Sequence, residues 1–166
     1  QDPSDVLFLG GSRMEAGVVP AAGFPFEAFE LVALRRSLSL QNLRIPAVLQ
    51  RTTGAMAEAL ERHGVRVVLG MGGYVTVPAA RAARRLGLPL FLQEQNAVPG
   101  LAVRLAARRA RAVFVGLPGP AERLPHAVLT GNPLRRALAG FERPALAAAG
   151  RLRYGLPDEA RVRGVL

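Results

Sequence analysis

Val67-Val68-Leu69-Gly70-Met71-Gly72-Gly73-Tyr74-Val75-Thr76-Val77-Pro78 and Phe91-Leu92-Gln93-Glu94-Gln95-Asn96-Ala97-Val98-Pro99-Gly100 each run from an apolar strand into a loop. In the first, a β-branched run stops at Gly70, Gly72 and Gly73, and Pro78 then opens an Ala/Arg-rich helical stretch. Glycines there let backbone N–H groups approach a ligand closely. In the second, Leu90 to Leu92 give way to Gln93, Glu94, Gln95 and Asn96, four hydrogen-bonding side chains in a chain that is 50% hydrophobic. Open α/β sheets bind ligands at the carboxyl ends of their strands, so these two loops point to both the fold class and a candidate site.

The same alternation extends in both directions. Strands are expected at Asp5 to Leu9, Phe26 to Val32, Val65 to Leu69, Leu88 to Leu92, Ala112 to Val115 and Ala127 to Thr130. Helical patterns fall between them: a short piece to about Ala22, Ala55 to His63 stopped by Gly64, Pro78 to Leu86, and Leu101 to Arg109. Continuous apolar strands alternating with helices of this length mean βαβ units and a parallel, doubly wound sheet. Both ends read as incomplete. The first strand lacks a preceding βα unit, and Arg161 to Leu166 reads as a strand that has just begun.

At 166 residues the chain is expected to hold one domain of ordinary size with a real core. With no cysteine and only His63 and His126 for imidazole, neither a disulfide framework nor a structural metal is expected, and the redox reading is intracellular. The longest uncharged stretch, Val67 to Ala80, is broken by glycines and Pro78 and is shorter than the about 20 apolar residues of a spanning helix. Gln1-Asp2-Pro3-Ser4-Asp5 shows no basic region leading into an apolar one. The net charge of +10 comes from 22 basic residues, all arginine. It suits polyanionic partners such as phosphorylated metabolites or an anionic membrane, with a solvated arginine surface as the competing reading. Nucleic acid is the weakest partner, because seven Phe and two Tyr leave few stacking platforms and the arginines are not gathered in one tract.

Three motifs in order carry a resemblance: Gly70-Met71-Gly72-Gly73-Tyr74-Val75-Thr76-Val77-Pro78, then Glu94-Gln95-Asn96-Ala97-Val98-Pro99-Gly100, then Thr130-Gly131-Asn132-Pro133-Leu134-Arg135. Their order and spacing resemble the amino-terminal domain of the MurG family, and Arg13-Met14-Glu15 sits where that family has a similar sequence. The resemblance covers residues 5 to 136. It implies an inverting hexosyltransferase that moves N-acetylglucosamine from UDP-GlcNAc to the 4-hydroxyl of the muramyl sugar of lipid I, giving lipid II for the cell wall. It also implies the Rossmann-like amino-terminal half of a GT-B glycosyltransferase, with residues 1–136 as the acceptor-binding domain and 137–166 as a linker and the start of a donor-binding domain. Departures are visible. The family's opening Gly-Gly-Thr-Gly-Gly-His loop, with its candidate base, has no counterpart here, so the catalytic residue is unassigned; Gln93 stands where histidine is common, and Val103 where asparagine is usual.

What the resemblance implies for single residues follows from the acceptor's chemistry. Gly72 and Gly73, with the positive end of the following helix, are expected to cradle the diphosphate of lipid I, Tyr74 to stack on a sugar or donate its hydroxyl, and Glu94 and Asn96 to hold sugar hydroxyls. A tight turn and a core cap are the competing readings. Asn132 and Arg135 are expected at the donor side or hinge, or else in a plain turn. His63 reads as a helix-end residue and His126 as a surface residue. No cofactor is expected. UDP-GlcNAc is expected to bind a second domain. Since lipid I stays in the bilayer, Arg35, Arg36, Leu38, Leu40, Leu43, Arg44 and Ile45 are expected to contact an anionic inner membrane at its cytoplasmic face, against a competing reading of loop and helix packed on the sheet. Two further readings stay open: the acceptor half of another GT-B enzyme acting on a different lipid, and a non-catalytic lipid- or phosphate-binding module.

Overall fold

The computed structural model describes residues 2–31, 45–134, 150–153 and 155. A compact unit runs from Gln1 to Asn132 and a second from Pro133 to Leu166, where the sequence suggests a boundary at 136. Of the second unit, 150–153 is helical. The residues expected at a membrane, Arg35, Arg36, Leu38, Leu40, Leu43 and Arg44, together with Arg135 and the expected strand at 161–166, lie outside the described residues. Ile45 is described and half-buried.

The first unit alternates strand and helix: β1 (Phe8–Gly10), α1 (Glu15–Ala21), β2 (Phe26–Ala28), α2 (Ile45–Arg62), β3 (Val68–Gly70), α3 (Thr76–Arg85), β4 (Leu90–Glu94), α4 (Leu101–Ala107), β5 (Ala112–Val115), α5 (Pro118–Ala121) and β6 (Ala127–Leu129). Every strand pair is parallel. The α/β expectation holds, but among the described residues the strands form two parallel sheets, β1-β2 and β3-β4-β5-β6, where the pattern suggests one.

Helix ends explain how the strands are launched. In α2, Gly64 at φ 60° donates to the Glu61 carbonyl and Val65 to that of Leu60; in α3, Gly87 at φ 68° donates to Arg84 and Leu88 to Ala83. Both are Schellman closures, in which a left-handed residue after the helix satisfies two orphan carbonyls and turns the chain back toward the sheet. Leu88 and Val65 thereby start the runs into β4 and β3.

Several boundaries differ from the expectation. Asp5 belongs to a 3₁₀ turn (Pro3–Asp5) in which Asp2 accepts the Ser4 N–H at 2.9 Å, so β1 begins later. Strand β2 ends at Ala28 because the Glu30 carbonyl accepts the Thr52 hydroxyl at 2.9 Å, diverting the chain to α2, where Arg51 also pairs with Glu30. Helix α3 starts at Thr76, ahead of Pro78, whose absent N–H costs nothing in a first turn. Strand β4 reaches Glu94 because Gln93 and Glu94 pair with Phe114 and Val115 of β5.

One face of the larger sheet, carrying Val68, Leu90, Leu92, Val113 and Val115, packs on α2, α3 and α4. Alanines make the contact close: Ala82 and Ala83 of α3, which lies between α2 and α4, are wholly buried, as are Met56 and Ala107. Small residues let backbones approach and substitute for the bulk that few aromatics supply. On the other face Phe91 stacks on Phe114 with centroids 6.0 Å apart, and Leu69 and Val128 are exposed. At the edge of β2, Glu27 accepts Arg62 and His63 at 2.8 Å, and the Arg62 bond holds its carboxyl below the usual range. His63 thus serves a helix-end pairing, and His126 is an exposed turn residue at φ 56°.

Packing leaves no room for a side chain at Gly70. A Cβ there would meet Leu92 Cδ2 at 2.8 Å and Thr76 Cγ2 at 2.9 Å, whereas a Cβ at Gly54 inside α2 meets nothing within 4 Å. We expect Gly70→Ala to lose about 1–3 kcal/mol of unfolding free energy and Gly54→Ala to gain about 0.5–1 kcal/mol, measured by urea denaturation. Equal effects of the two substitutions would contradict the packing described.

Candidate functional site

Because β3 and β4 are neighbours in parallel register, Leu69 opposite Phe91 and Gly70 opposite Leu92, the loops that follow them emerge side by side. They enclose a cleft of about 90 Å³, with Met71, Gly72 and Gly73 on one side, Glu94 to Asn96 and Gly100 on the other, and Ala102 and Val103 of α4 at its base. The two motifs that decide the fold from sequence are thus one site in space.

The glycine side is built so that its donors face outward. Gly72 and Gly73 have φ of 86° and 74°, a conformation other residues adopt only with strain. Their carbonyls turn inward: the buried Thr76 hydroxyl donates to Gly72 O at 2.6 Å, and the Thr76 N–H to Gly73 O at 3.3 Å. Among the described residues, no hydrogen bond takes up the N–H of Gly72, Gly73 or Tyr74. With the start of α3 close behind, this is an anion-attracting arrangement. Tyr74 is 55% exposed beside the cleft and does not line it, so a core-capping role is ruled out.

The polar side is organised from within. Glu94 is only 3% exposed. Its Oε1 accepts the Asn96 N–H at 2.9 Å and Asn96 Nδ2 at 2.8 Å, and its Oε2 accepts the Gly100 N–H at 2.8 Å, just ahead of α4. A buried carboxylate needs such donors to offset its lost hydration. Gln93, in the position noted for its departure, is 7% exposed, and its Nε2 has no partner among the described residues. Val103 is buried core beneath the cleft.

Asn132 ties the loop beside the cleft from behind Gln95. Its Nδ2 donates to Gln95 O at 3.3 Å, and its amide lies against Gly116, where any side chain would collide with it. Loops after β4, β5 and β6 are therefore tied together at the carboxyl edge of the sheet. The two histidines lie elsewhere, His63 ahead of β3 and His126 directly ahead of β6. Among the described residues no group of three metal-ligating side chains occurs.

A second surface escaped the sequence reading. A groove of about 730 Å³ runs along the outer side of α4 between Val98 and Pro125, where Leu101 and Leu105 stand exposed beside Arg104, Arg108 and Arg123. The signal was present as Leu101, Arg104, Leu105 and Arg108 at i, i+3, i+4 and i+7, one stripe of a helix mixing leucine with arginine. Residues on the next stripe, Ala102 and Val103, line the cleft, so α4 separates the two surfaces.

Comparison with known proteins agrees with this architecture. Residues 4–115 match the model of the glycosyltransferase family 28 N-terminal domain. A UDP-N-acetylglucosamine–N-acetylmuramyl-(pentapeptide) pyrophosphoryl-undecaprenol N-acetylglucosamine transferase of Acidothermus cellulolyticus is 42% identical over 93% of this chain, and one of Burkholderia lata is 43% identical over 88%. The chain spans 42% and 39% of those relatives' lengths. A crystal structure of Acinetobacter baumannii MurG superposes with a TM-score of 0.60 at 28% identity, over 78% of this chain and 37% of that one. Parallel strands, paired loops at their carboxyl ends and a family match over most of the first unit lead to one assignment: the chain belongs to the glycosyltransferase family 28 N-terminal domain family.

Proposed function

We propose that this chain supplies the acceptor side of N-acetylglucosamine transfer from UDP-GlcNAc to the 4-hydroxyl of the muramyl sugar of lipid I. The observation that carries the reading is the shared cleft, where unpaired N–H groups at Gly72 and Gly73 and the Asn96 amide line one small space. Outward backbone donors suit the acceptor's diphosphate, and an amide beside them suits the attached sugar. Tyr74, exposed at the rim, is placed to cover a sugar ring. Asn132, tied to Gln95, holds the cleft from the side from which the chain leaves the first unit, the place for a hinge toward a donor-binding domain. The likeness to relatives whose names state this transfer supports the reading.

The acceptor is a lipid, so the domain must meet a membrane surface. No helix among the described residues is long and apolar enough to cross one. The groove on α4 offers what a peripheral contact needs, exposed Leu101 and Leu105 to enter the headgroup boundary and Arg104, Arg108 and Arg123 to meet anionic lipid. It lies next to the cleft, as a sugar diphosphate on a membrane-held chain requires. We assign this surface, together with the segment 35–45 expected from sequence, to the cytoplasmic face of the bacterial inner membrane.

Three outcomes are expected. In a polypeptide that also carries a donor-binding domain, Asn96→Ala lowers transfer to a soluble lipid I analogue at least tenfold, about 1.4 kcal/mol of transition-state stabilisation; steady-state kinetics at the wild-type rate from a folded variant would refute the acceptor assignment. The 166-residue chain by itself shows no saturable binding of UDP-GlcNAc by calorimetry, and a micromolar dissociation constant would place the donor site here instead. Finally, Arg104→Gln with Arg108→Gln weakens co-sedimentation with anionic vesicles roughly thirtyfold at low salt, about 1 kcal/mol per arginine, and the difference shrinks at high salt. Equal sedimentation of variant and wild type would remove α4 from the membrane contact.

A further inference from the structure

From the hydrogen bonds inside the loop 95–100 we infer that Glu94 is a positioning residue, and that the group the loop offers its ligand is the side-chain oxygen of Asn96, which selects a ligand hydroxyl or amide N–H. The inference rests on reading the cleft as the acceptor site and changes which residue touches the acceptor. A carboxylate has about four lone-pair directions, and three of Glu94's are occupied by donors of its own loop, two backbone N–H groups and one amide. At 3% exposure it has little surface left to offer, and taking a sugar hydroxyl would mean releasing one of the bonds that offset its burial. Its geometric effect reaches across the loop. Oε1 fixes the first residues and Oε2 fixes Gly100, so one side chain sets the path of all the residues between β4 and α4.

Asn96 receives its orientation from the same source. An ionised carboxylate only accepts, so the amide end turned toward Glu94 must be Nδ2, and the chemistry removes the usual ambiguity between the two ends of an asparagine amide. Oδ1 is left as the free end, with no hydrogen bond among the described residues. The cleft then carries two polarities: donors on the glycine side for an anion, and an acceptor on the Asn96 side for a group that donates. A ligand carrying a diphosphate next to a hydroxyl or acetamido N–H satisfies both. A ligand presenting only acceptors would face Oδ1 with repulsion.

The test is a double-mutant cycle on the full chain, with dissociation constants for a soluble short-chain lipid I analogue, combined with amide hydrogen exchange by NMR. Glu94→Gln keeps the shape but opposes an NH₂ group to one of the loop's donors. Each of Glu94→Gln and Asn96→Ala is expected to weaken binding at least tenfold, and the double variant no more than about threefold beyond the weaker single, because one acts through the other. The Gly100 amide should exchange at least tenfold faster in Glu94→Gln, with Leu92 in β4 unchanged as the folding control. In Asn96→Ala, whose side chain is exposed, Gly100 should keep its protection. Additive losses in the double variant would mean that Glu94 touches the ligand itself and would overturn the proposal, as would undiminished Gly100 protection in Glu94→Gln. Failure of the wild-type chain to bind the analogue refutes the acceptor reading instead; the exchange result then decides alone whether Glu94 positions the loop.

Discussion

Gly70 sits where the side chains of Leu92 and Thr76 leave no room for a Cβ, and that close approach governs both halves of the molecule's organisation. On the sheet side it lets β3 lie flush with β4, which places the loops after them next to each other. On the helix side it brings the first residue of α3 against the strand end, and the Thr76 hydroxyl can then reach back to the Gly72 carbonyl. With the carbonyls of Gly72 and Gly73 held inward, the trans peptide, in which each C=O points opposite to the following N–H, turns the N–H groups of Gly73 and Tyr74 outward. The donor face of the cleft is therefore a consequence of packing.

The opposite wall is organised by burying a charge and surrounding it with donors. Glu94 lies at the last position of a buried strand, where an ordinary side chain would simply extend the core. Its carboxylate can only be accommodated by directed N–H groups, and the loop supplies them from Asn96 and Gly100. A neutral residue there would leave those donors to solvent and the loop free to choose among conformations. The cost of burial is thus converted into definition of shape, which is what a binding site on a loop most needs. Asn132 adds an outer tie through Gln95, made possible because Gly116 presents no side chain.

The core shows how an aromatic-poor chain achieves close packing. Alanines of α3 and α4 and a wholly buried Met56 fill the layer over Leu90, Leu92, Val113 and Val115. Short side chains draw the helices near the sheet and leave the longer ones, leucine and arginine, to face outward on α4. An amphipathic surface beside the cleft follows from this division: one stripe of α4 seals the site, and the next is free to meet another phase.

The sequence by itself determined the alternation of strand and helix, the parallel α/β class, and the two loops that line the cleft, because apolar runs, glycines and prolines act locally and over a few residues. Gly64 and Gly87 stop their helices through closures that need no distant partner. Three features were settled only by the tertiary structure. Glu94 reads from sequence as a polar loop residue available to a ligand, yet pairing of β4 with β5 carries it inside, since strand length depends on the neighbour's register. Strand β2 reads longer than it is, because the bond that turns it aside comes from Thr52 on another element. The contact of Asn132 with Gln95 over Gly116 joins residues far apart in the chain, and no local pattern encodes a distance between loops. Local chemistry chose the elements and their ends; which side chains face the cleft and which are spent inside it was decided by long-range register and packing.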